Sequence, residues 1–404
     1  MTPFSFKILA EEGRARTGRI TTPHGLIETP AFVPVATLGA VKNLPASELK
    51  HIGVQVIIAN GFHLDLQPGE DLIREMGGLH RFLGWDKPIM IDSGGFQVFS
   101  LGAAKVHGVG KIASVFPEEQ DRGGHLKAQK GKPLVKIDEG GVEFTSYRDG
   151  SPHRLTPEGV VTWGLSLGAD LIMVLDECTS PLHDVRETRE AMERTHRWAG
   201  RSLREFQGRP SAGRALFGIV QGGAFQDLRQ ESARFIAGQG FDGYAIGGSL
   251  GKSKRDMAQV LDWTIPLLPE EKPRHLLGVG MVDDIFEVVR RGCDLFDCIV
   301  PTRLAATGTF LAREAKRFRV HILNEAFKKD HRPIEENCSC SCCRNHSRAF
   351  LRHLFQVKEP LAVYLAAVHN LHFMETLMGA IRSAIGQGGF ERLRVSWNEG
   401  GIIT

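Results

Sequence analysis

Apolar, β-branched runs recur along the chain, bounded by glycine, proline or aspartate. Eight stand out, at residues 29–36, 54–60, 88–93, 170–177, 215–222, 243–248, 275–280 and 295–301. Each is nearly continuous in its hydrophobicity instead of alternating, the pattern of parallel strands buried on both faces. Most of the segments between them carry helical periodicity, as at 186–206 and 284–291. Eight strand–helix units over ~300 residues predict a (β/α)8 TIM barrel, with a doubly wound open sheet as the competing arrangement.

Two stretches break the rhythm. Residues 103–140 are long and rich in Gly and Lys, and predict a loop or insertion. Residues 302–404 follow the eighth run and carry most of the cysteines, then helical sequence around 361–373. The expected organisation is a catalytic barrel over 1–301 and a metal-binding subdomain with closing helices over 302–404.

Four of the seven cysteines fall within six residues, Cys338-Ser-Cys340-Ser-Cys342-Cys343. A core uses cysteine singly, as a small hydrophobe. Thiolates crowded this closely suit a soft tetrahedral ion such as Zn²⁺, and Cys338, Cys340 and Cys343 supply three ligands from one turn. His346, His353, His369 and His372 all follow and could each supply the fourth. A redox thiol cluster or a disulfide pair is the competing reading.

The chain is 42% hydrophobic and 24% charged, a soluble globular balance. The Met-Thr-Pro-Phe-Ser-Phe-Lys start lacks a basic then apolar leader, and no apolar run approaches the ~20 residues that span a bilayer. A cytoplasmic, reducing setting with no membrane partner is expected. The net charge of +3 alone does not demand a nucleic acid, but basic residues gather after residue 300, from Arg303 to Arg352. Such a face suits phosphate contacts, against the plainer reading of a solvated surface.

Barrel enzymes carry their chemistry at the carboxyl ends of the strands. Here those ends offer Asn60, Asp92, Asp176, Gln221, Gly248, Gly280 and Asp297. Carboxylates, amides and glycines suggest carboxylate chemistry on a planar, hydrogen-bonding ligand. Each has a structural alternative. Asp92 could cap the next helix, Asp176 could pair with Arg186, and Gln221-Gly-Gly could be a turn. Asp297 is the sharpest candidate, because Leu-Phe-Asp-Cys-Ile-Val would bury an ionised group at a cost of several kcal/mol unless it is paired or faces a polar pocket.

At these residues the chain resembles the tRNA-guanine transglycosylase (queuine tRNA-ribosyltransferase) family. The matching pieces are Asp92-Ser-Gly-Gly-Phe-Gln, Leu175-Asp-Glu-Cys, Gly218-Ile-Val-Gln-Gly-Gly, Phe241-Asp-Gly-Tyr-Ala-Ile-Gly-Gly, Leu277-Gly-Val-Gly, Phe296-Asp-Cys-Ile-Val-Pro-Thr-Arg, the cysteine knuckle and His369-Asn, in order along nearly the whole chain. The resemblance implies a (β/α)8 barrel with a zinc-binding insertion. It implies exchange of the wobble guanine of certain tRNAs for a 7-deazaguanine, by double displacement through a covalent glycosyl-enzyme. Asp297 matches the nucleophile and Asp92 the general acid/base. Ser93, Gly94, Gly95, Phe96, Asp176, Gln221 and Gly248 match the base-binding groups, with Phe96 and Met281 as stacking faces.

The resemblance further implies RNA contacts at Gly278, Val279, Gly280, Met281, Val282, Asp283 and Asp284, and at Thr302, Arg303, Leu304, Ala305 and Ala306. It implies one structural Zn²⁺ on Cys338, Cys340, Cys343 and His369. Expected partners are a tRNA anticodon stem-loop, the free 7-deazaguanine and guanine, and a second copy in a homodimer. The chain departs from the common pattern at Ser249-Leu-Gly-Lys252, where Leu-Ala-Val-Gly-Glu is usual, and at Leu304, where Asn is usual. The first departure leaves the incoming base open between 7-aminomethyl-7-deazaguanine and queuine. Three other readings compete. A non-catalytic tRNA-binding subunit of the same family would not need both Asp92 and Asp297, an archaeal relative acting on the tRNA core would carry more C-terminal domains, and a zinc-ribbon binder would not need carboxylates at a barrel mouth.

Overall fold

The computed structural model describes residues 3–95, 135–146 and 149–400. Strands β1 (Ser5–Glu12), β2 (Ala15–Thr22) and β3 (Gly25–Thr29) form an antiparallel sheet. They lead into β4 (Ala31–Ala36), β5 (Ile57–Ala59) and β6 (Ile89–Ile91). A second antiparallel sheet joins β7 (Val135–Asp138), β8 (Gly141–Thr145) and β9 (Pro152–Leu155). Then come β10 (Leu171–Met173), β11 (Ala215–Val220), β12 (Gly243–Ile246), β13 (Arg274–Leu276) and β14 (Leu295–Cys298).

Strands β4–β6 and β10–β14 close into one barrel, in the order β10-β11-β12-β13-β14-β4-β5-β6. Every pairing in it is parallel, and β10 closes the ring on β6. Seven of the eight hydrophobic runs hold one of these strands whole and the run 275–280 overlaps β13, which starts one residue earlier, so the open sheet is excluded. The strands are shorter than the runs. Asn60, Asp92, Asp176, Gln221 and Gly248 lie past the ends of their ladders, where the chain splays into the loops of the mouth.

The opposite end of the barrel is stitched by carboxylates. Asp170, Asp242 and Asp294 stand just before β10, β12 and β14. Each accepts an N–H from the start of the neighbouring strand: Ile89 to Asp170 at 2.9 Å, Leu216 to Asp242 at 2.9 Å and Arg274 to Asp294 at 2.7 Å. Asp294 also takes both arms of the buried Arg16, at 2.9 and 2.6 Å, which ties β2 to the barrel. Asp170 takes His24 Nδ1 at 2.8 Å and has His80 Nε2 at 3.2 Å. The two imidazoles stack, with centroids 3.5 Å apart and planes 18° from parallel. An ion lies in the plane of each imidazole that ligates it, and near-parallel planes this far apart do not meet at one ion. The group is therefore a hydrogen-bonded clasp, on the face where barrels carry stability instead of chemistry.

After β14 come the helix Val300–Ala306, the ribbon β15 (Thr309–Leu311) and β16 (Arg319–His321), and the helices Ser341–Asn345, Arg348–Gln356, Pro360–Gly386 and Phe390–Gly400. Barrel residues such as Phe296 and C-terminal residues such as Met374 and Leu377 share one hydrophobic core. Asn370 pins the junction: its Oδ1 accepts Leu311 N–H at 2.8 Å, and its Nδ2 donates to Pro301 O at 3.0 Å and Thr309 O at 3.1 Å. No helix among the described residues is long and apolar enough to cross a membrane.

Candidate active site and metal centre

Asp297 lies on β14, opposite Val33 of β4. Its Oδ1 receives His275 Nε2 at 2.8 Å and Gly278 N–H at 3.1 Å. His275 is fully buried on β13, and its Nδ1 has no hydrogen-bond partner among the described residues. A carboxylate only accepts when ionised, so Nε2 carries the imidazole proton. These bonds fix the plane of the carboxylate and offset the cost of desolvating it.

Asp92 follows β6. Its Oδ2 receives Asn60 Nδ2 at 2.7 Å and its Oδ1 receives Gly61 N–H at 2.9 Å. Asn60 is itself locked as the cap of the helix Gly61–Leu66, accepting His63 N–H at 3.1 Å. Asp92 also borders a cavity of ≈ 170 Å³ lined by Phe62, Asp65, Arg154 and Trp163.

Between these carboxylates, going round the barrel through β10 and β11, lies an amide–carboxylate recess. Asp176 Oδ2 receives Gln221 Nε2 at 2.6 Å and its Oδ1 receives Ser93 Oγ–H at 2.9 Å. The Cys178 thiol reaches Asp176 Oδ2 at 3.4 Å. Arg186 instead pairs with Glu190 at 3.1 Å, which corrects the alternative partner weighed for Asp176. Gly95 and Gly248 close the recess: a Cβ on Gly95 would collide with the Asp176 carboxylate, and one on Gly248 with Gln221 Oε1. Gly94 and Gly248 also hold φ of +82° and +70°, which favour glycine. Buried Gln221 Oε1 has no hydrogen-bond partner among the described residues. The recess thus offers a carboxylate acceptor and amide groups side by side, suited to a planar ligand with adjacent donors and acceptors.

The segment 278–284 runs along this mouth. Gly278 is exposed beside Asp297, and Gly280 packs against Cys298 with no room for a side chain. Val279 and Val282 are buried, and Met281 meets Arg319 Nη2 at 3.5 Å. Asp283 and Asp284 both pair with Lys254. In the second segment Arg303 and Ala306 are exposed, while Thr302, Leu304 and Ala305 are buried. The basic stretch is partly neutralised: Arg332 and Arg348 pair with Asp330, and Arg352 and Lys328 with Glu325. Phe96 and residues 103–134 lie outside the described residues.

The cysteine knuckle converges on His369. Its Nδ1 lies 3.8, 3.6 and 3.2 Å from the Sγ atoms of Cys338, Cys340 and Cys343. Zn–S bonds of about 2.3 Å and a Zn–N bond of about 2.0 Å at tetrahedral angles put S and N about 3.5 Å apart, so these four fit one ion. His369 Nε2 meets Leu311 O at 2.7 Å, which leaves Nδ1 as the ligand atom. Cys342 is fully buried but outside the group, and His346 and His353 are outside it as well. His372 Nδ1 stands 3.6 Å from Cys338 Sγ, as a neighbour of the group.

A family model described as queuine tRNA-ribosyltransferase matches residues 11–400. The chain belongs to that family. It is 47% identical over 403 residues to a putative queuine tRNA-ribosyltransferase of Archaeoglobus fulgidus, covering 98% of this chain and 99% of the relative. It is 44% identical over 405 positions to the queuine tRNA-ribosyltransferase of Roseiflexus sp., covering 98% of each. It is 45% identical over 398 residues to that of Herpetosiphon aurantiacus, covering 98% and 92%. The family is one of pentosyltransferases, and this member is an enzyme with a barrel mouth and a Cys3His group.

Two of the mouth's groups escaped the sequence reading. His275 reads as a core histidine in an apolar run, and only its partner on the next strand gives it a role. Arg229 sits on a helix and is polar by type, yet it is fully buried.

Proposed function

We propose that this enzyme exchanges the wobble guanine of certain tRNAs for a 7-deazaguanine base. One observation carries the reading: two separately hydrogen-bonded carboxylates, Asp92 and Asp297, flank an amide–carboxylate recess at the mouth of the barrel. The Asp297 carboxylate attacks the ribose anomeric carbon and the bond to guanine breaks, leaving a glycosyl ester. Asp92 gives a proton to the departing base and later takes one from the newcomer. The incoming ring nitrogen then attacks the same carbon and releases Asp297, so two inversions give net retention.

Asp176 accepts from the N–H edge of the base, and the Gln221 amide and the backbone at Gly248 complete its recognition. Ser93, Gly94 and Gly95 wall the pocket. The target guanine leaves the anticodon stack to enter it, and the exposed Arg303 with the segment 278–284 meets the RNA. Zn²⁺ is the ion for the Cys3His group, where it supplies cross-linking of the C-terminal fold and no step of the reaction. A homodimer in the cytoplasm is the expected setting. The incoming base is 7-aminomethyl-7-deazaguanine or queuine, and competition of the two for guanine-charged tRNA decides between them.

Asp297→Asn tests the reading. It should abolish covalent trapping of tRNA on denaturing gels while tRNA binding persists, and normal exchange in this variant would refute it. A non-catalytic tRNA-binding subunit is the second reading, and it has no use for both carboxylates.

A further inference from the structure

Arg229 is a fully buried cation that no described carboxylate pairs. It sits on the helix Gln226–Ala237, which follows β11. Its Nε donates to Gly223 O at 2.6 Å, its Nη1 to Val220 O at 2.9 Å, and its Nη2 to Gly247 O at 2.9 Å and Ser249 O at 2.7 Å. Burial pulls its pKa down to about 9, so it stays charged at neutral pH. A desolvated guanidinium without a counter-ion persists only where dipoles replace water, and here four carbonyls do so.

Val220 ends the β11–β12 ladder, where its carbonyl also accepts Gly247 N–H at 3.1 Å, and the other three carbonyls belong to the two loops beyond it. Val220 and Gly223 bracket Gln221, and Gly247 and Ser249 bracket Gly248. In a trans peptide the C=O and the following N–H point in opposite directions. Turning Gly247 O toward Arg229 therefore turns Gly248 N–H away from it, and Gly247 itself lies against Gln221 Nε2 and Asp176 Oδ2. Turning Val220 O the same way leaves Gln221 N–H to Ser232 Oγ, at 3.1 Å.

We propose that Arg229 is a positioning residue for base recognition: one guanidinium fixes the peptide orientations of the two loops that form the recess, and so sets affinity for the free base independently of tRNA. The inference rests on the proposed function, which assigns that recess to the base.

The test is labelled-guanine exchange into tRNA, with base and tRNA varied separately, for wild type, Arg229→Lys and Arg229→Met. Arg229→Met removes all four donors and should raise KM for the base at least about tenfold, the size expected for losing charged hydrogen bonds, with KM for tRNA within about twofold. Arg229→Lys keeps the charge and up to three donors, and should fall between the two. Equal shifts in both KM values, or a fall in kcat alone, would overturn the proposal. So would failure of both variants to fold, which would assign Arg229 to the fold alone. A wild-type enzyme that exchanges no guanine would instead bring down the functional reading, and this inference with it. Wild-type exchange with an unchanged base KM in Arg229→Met overturns only the role of Arg229.

Discussion

His275 Nε2 stands 2.8 Å from Asp297 Oδ1, from a fully buried imidazole on the neighbouring strand. Together with Gly278 N–H it holds the carboxylate from one side. His275→Phe keeps a ring of similar size and removes the donor. Hydrogen bonds to charged groups are worth about 1.5–3 kcal/mol, so kcat/KM should fall roughly 10- to 150-fold. Single-turnover formation of the covalent tRNA adduct reads this directly. An adduct rate equal to wild type would show that Asp297 orients without the imidazole.

Gln221 and Asp176 form the second pair, at 2.6 Å. Gln221→Ala removes an amide from a buried carboxylate and opens space beside Gly248. The expected outcome is a rise of about tenfold or more in KM for the free base, with covalent tRNA trapping retained. Steady-state exchange with the base varied at saturating tRNA checks it. A proportional loss of trapping would place Gln221 on the tRNA step instead.

Much of this was legible in the sequence, and the physics of each element explains what was not. The eight strands could be read because parallel strands buried on both faces leave uninterrupted apolar runs. Their ends could not, since pairing stops where loops splay, a tertiary matter. The N-terminal sheet was missed although β1 alternates exposed and half-buried positions with a period of two. The cysteine group was visible because its ligands are neighbours in sequence, whereas His369 lies on a helix 26 residues beyond Cys343 and came through the resemblance. Arg229 has no sequence signature, because all four of its partners are backbone carbonyls.

The Cys3His group links three parts of the C-terminal fold. The knuckle supplies the thiols, the helix Pro360–Gly386 supplies His369, and His369 Nε2 reaches Leu311 on β15. Cys340→Ala, or extraction by a chelator, should lower metal content and melting temperature together. It should also weaken tRNA binding more than it slows guanine exchange at saturating tRNA. Elemental analysis with calorimetry and a tRNA titration separates these effects. A metal-free protein of unchanged melting temperature would contradict a structural role.

Asp170 offers a pH-dependent test at the far end of the barrel. Burial pushes its pKa up, but the bonds from His80, the Ile89 N–H and His24 outweigh it and hold the carboxyl below its ordinary value of 3.8. A depressed folded-state pKa means the ionised form stabilises the fold. That stability is fully present above the unfolded value and is lost as pH falls through the lower, folded one. Asp170→Asn keeps the shape but points an amide N–H₂ at groups that themselves donate, so at neutral pH it should cost about 2–4 kcal/mol. Chemical denaturation from pH 7 down to the acid limit should show wild type losing part of its advantage over the variant below about pH 4, the ordinary carboxylate range. Parallel curves for the two proteins would mean that the clasp is held by shape and not by charge.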